Sequence, residues 1–250
     1  MFETFALRLA LGLLGSLALL RKQDIDAKFF QIHHLIAIGL LGAVGAFAWS
    51  TDAIWFWLPW TMALFGTMAG TWAWSIQELA GLRWYLCVWT IASVMGALLT
   101  LASAKTETLG WGLEVAQDVT SAALLGLAIT AMLLGHWYLN SPTMSIQPLI
   151  ALHQAIFIAL VGRLVVFVWI WGQVTHFQFG MDQLGWLWLS MRAGAGFIGA
   201  AVLSYMSWAT AKIRSTQSAT GILYVLDIFV ILGEIVDLML VEHLILWGGS

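Results

Sequence analysis

The chain has 250 residues, 61% hydrophobic and only 9% charged, with a formal charge of −3. A soluble domain carries about 25% charged residues, so a water-covered surface is excluded and the solvent must be lipid; the small net charge gives nucleic acid no electrostatic footing as a partner. The lone Cys87 excludes an internal disulfide, and the absence of any CxxC excludes covalent c-type haem and thiolate-held iron–sulfur clusters.

A membrane-spanning helix needs about 20 mostly apolar residues. Such windows fall at 4–20, 29–50, 54–75, 84–103, 117–139, 148–172, 184–210 and 220–247. The expected fold is all-α: a polytopic integral membrane bundle of about eight transmembrane helices, one domain over 1–250, surrounded by the lipid bilayer. No alternating ten-residue segments point to a barrel. The connections are short, which makes consecutive helices antiparallel neighbours.

The first window carries Arg8 and lacks a small-residue cleavage site, so it reads as a retained helix rather than a signal peptide. The second opens on His33 and His34. Its stretch 35–47 echoes 9–19, which reflects shared small-residue packing rather than a repeat. Pro59 and Pro148 sit near helix starts, where proline is tolerated. The fifth window ends at His136 and the sixth begins before His153, so the tight connection over 140–148 brings both to one side of the membrane. An axial haem ligand needs a neutral imidazole at the depth of its partner. His136 and His153 are the expected haem-iron ligands, with His34 as substitute.

Arg163 and Arg192 each lie about eight residues from the outer end of their windows, roughly 12 Å below that surface. The last window carries Asp227, Glu234 and Asp237 at spacings of seven and three, which places them on one helical face. A buried guanidinium needs a partner, so Arg163 or Arg192 is expected to pair with Glu234 or Asp237. Such a cluster serves packing, a proton or ion path, or charge compensation for bound haem propionates. The small-residue run 193–201 packs on another helix or admits a flat porphyrin or quinone. Before the last helix, Ser215, Thr216 or Ser218 is placed to cap it; alternatively Arg214, Gln217 and Ser218 line a headgroup or quinone pocket. His176 and His243 read as solvated interface residues.

Thirteen tryptophans (Trp49, Trp55, Trp57, Trp72, Trp74, Trp84, Trp137, Trp169, Trp171, Trp186, Trp188, Trp208 and Trp247) fall near window ends, an aromatic belt, and Trp60 and Trp89 lie deeper. Arg21, Lys22, Lys28, Arg83, Lys212 and Arg214 share one side, against Lys105 and Arg8 on the other. By the positive-inside rule that side is cytoplasmic, and both termini face outward.

Three functional expectations follow. The first is a membrane-embedded subunit of a redox complex binding haem b or quinone near the cytoplasmic side, with His34, His136, His153, Arg163 and Arg192 around the cofactor. The second is a proton, ion or small-solute transporter built on the buried Arg, Asp and Glu residues. The third is a non-catalytic anchor that assembles with other subunits of a membrane complex. A bacterial inner membrane is the expected location.

Overall fold

Helix is the only regular structure among the described residues, as lipid solvation of a backbone requires. The computed structural model describes residues 1–21, 24–48, 54–76, 80–103, 110–141, 143–176 and 182–247. In chain order these form α1 (Phe2–Ser16, closing in a 3₁₀ turn, Leu17–Leu19), α2 (Ala27–Phe47), α3 (Ile54–Ser75), α4 (Ala80–Ser103), α5 (Trp111–Asn140), α6 (Gln147–His176), α7 (Gln183–Met191), a π-helical segment (Arg192–Gly199), α8 (Ala200–Lys212) and α9 (Thr216–Trp247). The junction residues Arg192 and Ala200 keep right-handed helical angles, so α7, the π segment and α8 form one continuous rod. Six of these elements are long and apolar enough to cross a membrane: α1 with its 3₁₀ turn, α2, α4, α5, α6 and the α7–α8 rod. This is the composition of an integral membrane protein.

Helix ends follow local chemistry. The Asp26 carboxylate accepts the Lys28 N–H at 3.0 Å and caps α2, and Asp182 accepts the Gly185 N–H at 2.8 Å at the start of α7. The rod ends in a Schellman arrangement: Arg214 N–H donates to the Ala211 carbonyl and Ser215 N–H to that of Thr210. Arg214 occupies the left-handed position of this cap with φ of 60°, a conformation usually given to glycine.

The start of α1 and the end of α9 share what we call the near end. The connections α1–α2, α5–α6 and α8–α9 lie at the far end. Sequential neighbours do pack in α1–α2, α2–α3, α3–α4, α5–α6 and α8–α9, but α5 turns from α4 to pack mainly on α1, α6 and α9. The reason is visible at Gly12 and Gly126. A Cβ built on Gly12 would overlap the Ala122 carbonyl, and one on Gly126 would overlap the Gly12 backbone. Only glycine lets α1 and α5 touch backbone to backbone.

Two residues assigned to the membrane surface turn out to be internal. Trp74 is buried and stacks on Phe30 with centroids 4.2 Å apart. Arg83, expected as a free loop cation, is buried; it donates to the carbonyls of Ala73 and Ile76 and so satisfies the open end of α3. Its guanidinium lies 5.0 Å from the Trp74 ring centroid. Trp55, Trp72, Trp169 and Trp186 are exposed, as a belt requires. Ile158, Val161, Val165 and Val168 give α6 an exposed apolar stripe. Lys22, Trp49 and Lys105, and the side chains of His176, His243 and Trp247, lie outside the described residues.

Candidate functional site

The polar interior is built from α1, α5, α6, the π segment and α9. Three buried arginines meet three buried carboxylates there. Arg163 of α6 donates through Nε to both Glu234 oxygens, at 3.1 and 3.2 Å, and through Nη2 to Glu234 Oε2 at 3.1 Å. The same Nη2 bridges to Asp237. Arg192 donates to Glu234 Oε1 at 2.8 Å, and its Nε lies 3.4 Å from Asp237 Oδ1. Ser121 donates to Glu234, and Gln117 Nε2 to Asp237 Oδ2 at 2.8 Å. On the other side of α5, Arg8 binds Asp118 at 2.7 Å and reaches Ser121 Oγ at 3.5 Å. The result is one continuous layer of alternating charge, balanced between Arg8, Arg163 and Arg192 and Asp118, Glu234 and Asp237.

Sequence reasoning reached half of this layer. Counting depth from helix ends placed Arg163 and Arg192 level with Glu234 and Asp237, and the structure joins all four. It missed Gln117, Asp118 and Ser121 because the fifth window began at residue 117, which put them at the membrane edge. The helix begins at Trp111, so they lie about two turns inside. Arg8, stranded in the first window without a partner, was the signal that a carboxylate had to exist opposite.

Glycines make the layer possible. A Cβ on Gly233 would meet Arg192 Nη1 at 2.9 Å, and one on Gly196 would meet the same atom at 2.9 Å and the Gly233 Cα at 3.0 Å. Arg192 therefore lies over a glycine–glycine contact, with its guanidinium carbon 4.3 Å from the Phe197 ring centroid. The small-residue run thus packs on α9: Gly196 meets Gly233 and Gly199 meets Phe229. At Gly196 and Gly199 this face is filled by α9. The π segment begins at Arg192 itself, and Ala200 N–H bonds five residues back to Ala195. Such segments recur at functional sites.

The histidines are not gathered. His153 is fully buried; its Nδ1–H donates to the Leu149 carbonyl at 2.7 Å and its Nε2 lies 2.8 Å from Ser207 Oγ. His136 is exposed on α5, with Nδ1 3.5 Å from Tyr224 Oη. Thr120 faces Gly162 across the α5–α6 hairpin, and in that register His136 and His153 are separated by about two turns, roughly 10 Å. The two imidazoles therefore do not lie side by side, because a short loop fixes the side of the membrane but not the depth. His34 lies across the bundle against Gly70 of α3, with Nδ1 bound to the Phe30 carbonyl at 2.9 Å and Nε2 unpartnered. Among the described residues no group of three or more His, Cys, Asp or Glu is placed to hold a metal ion. Arg214, Gln217 and Ser218 are all exposed at the turn into α9.

Two hydrogen-bonded chains have a shared property. Three links join the Leu149 carbonyl, His153, Ser207 and the Ala219 carbonyl. A neutral imidazole and a hydroxyl bring two hydrogens to them. Four links join the Phe29 carbonyl, His33, Thr130, Ser16 and the Leu13 carbonyl, again with one hydrogen too few. In each chain, a proton added to the imidazole fills the last link.

No family model, characterised protein or solved structure matches the chain.

Proposed function

We propose that this chain is an eight-span membrane protein with both termini on the outer face, and that it moves a small ion across a bacterial inner membrane, alone or as a subunit of a larger complex. The observation that carries the reading is the buried charge layer. Desolvating each ion costs several kcal/mol, and a buried ion pair stabilises a fold no better than apolar packing often does. Six charges joined across five elements are therefore a poor device for packing alone. Intramembrane ionisable groups facing a bundle interior mark ion and proton paths. Beyond the layer, the same face of α9 continues toward the far end with Asp227, and the His153–Ser207 pair lies farther toward that end, where Ser207 donates to the Ala219 carbonyl.

The eight-span reading adds α3 and α9 to the six apolar helices. α3 has 22 residues and carries five indoles, and α9 has 32 residues and carries four acids; both are long enough to cross. Eight spans put exposed Arg21, Lys28, Lys212 and Arg214 at one end, in keeping with the positive-inside rule.

The test is flux. Purified protein reconstituted in potassium-loaded vesicles, polarised with valinomycin, should take up protons or sodium faster than protein-free vesicles. Identical traces for both ions and for chloride would remove the transport reading.

A further inference from the structure

Asp227 stands apart from the charge layer. It is 6% exposed, and neither carboxylate oxygen has a hydrogen-bond partner. It lies seven residues from Glu234 on the same face, roughly 10 Å toward the far end. The surrounding elements can be read from fixed contacts. On α5, Ser121 binds Glu234 and Gly135 faces Thr220, so Leu124, Leu125, Ala128 and Ala131 cover the level between; none titrates. On α6, His153 reaches Ser207, which donates to the Ala219 carbonyl, about two turns beyond Asp227 toward the far end. On the rod, Gly199 faces Phe229 and Ser207 faces Ala219, which brackets Ser204.

The charged groups on these elements are already engaged. Arg163 and Arg192 are held by Glu234 and Asp237. His153 is held by Leu149 and Ser207. Ser204 Oγ is fully buried and, like Asp227, has no partner. An ionised carboxylate in this setting would be a desolvated charge without a counterion or a donor, which proteins avoid by neutralising the group. A carboxylic acid fits, because it carries no charge and keeps one O–H to donate.

We propose that Asp227 is a proton-binding site inside the membrane-spanning bundle, so that the ion moved by this protein is the proton. Binding is the conversion of carboxylate to carboxylic acid, with no other bond made or broken. The inference rests on the transport reading for its role and on the isolation of Asp227 for its location.

Infrared spectroscopy of the full chain in lipid tests it without requiring flux. A protonated buried carboxyl has a C=O stretch separate from carboxylate and amide bands. The wild-type minus D227N difference at neutral pH should contain one such band, and it should disappear on the alkaline side with a single-proton titration, about tenfold per pH unit. D227E should retain a shifted band, and serves in place of D227N if the amide variant does not fold. Identical wild-type and D227N spectra at neutral pH would overturn the assignment. So would a band that sodium removes at constant pH, which would make this a metal-cation site. A band present in a protein that moves no ion leaves the site standing and removes the transport reading; flux without the band does the reverse.

Discussion

Glu234→Gln is the most informative perturbation of the charge layer. The side chain keeps its shape but loses its charge. Glu234 receives hydrogen bonds from Arg163, Arg192 and Ser121, so two fully buried guanidinium groups are left to share Asp237. Charge-assisted hydrogen bonds contribute about 1.5–3 kcal/mol each, and breaking a buried pair by removing one partner costs about 3–5 kcal/mol. The amide still accepts some of these bonds, so a loss of about 4 kcal/mol is expected. Adding Arg192→Met restores equal numbers of charges, with Arg163 opposite Asp237. The double variant should therefore lose less than the sum of the single losses, by at least about 2 kcal/mol. Unfolding with SDS in mixed micelles, followed by the fluorescence of the chain's 16 tryptophans, measures all four proteins. A Glu234→Gln loss below about 1 kcal/mol, or additive single losses, would refute a mutually dependent layer.

Other consequences are quickly checked. Gly12→Ala forces α1 away from α5 and should cost about 2 kcal/mol or more, whereas Gly15→Ala, with nothing within 4 Å of its Cβ position, should be neutral or stabilising in the same unfolding assay. Arg214→Gly relieves the left-handed backbone and should gain about 1 kcal/mol, seen as a higher thermal midpoint. In a Cys87→Ala background, single cysteines at Ile213 and Gly110 should react with a membrane-impermeant maleimide from opposite sides; reaction from the same side would contradict the eight-span arrangement.

What the sequence revealed depended on whether depth or lateral contact decided the outcome. Residue counting from helix ends is a depth measurement, and it placed Arg163, Arg192, Glu234 and Asp237 together. It failed for His136 and His153 because a hairpin loop constrains side but leaves two turns of freedom. It failed for Asp118 and Ser121 because Glu114, Gln117 and Asp118 lower the hydropathy of the first turns of α5, so a helix that begins at Trp111 looked shorter. Lateral contacts left weaker traces. The glycines at 194, 196 and 199 announced a close helix approach but not that Arg192 would rest on it, and nothing in a glycine-rich run marks a π segment. Arg83 looked like a surface cation by position alone; its role in closing α3 requires knowing where Ala73 and Ile76 point.

The most direct measurement is voltage-driven proton uptake into vesicles containing wild-type protein or Asp227→Asn at equal, verified insertion. Wild-type vesicles should acidify when polarised, and the Asn variant should fall to the rate of protein-free vesicles while remaining folded, since the amide keeps the shape and loses the exchangeable carboxyl proton. Equal uptake by both proteins would contradict a proton path through the acidic face of α9.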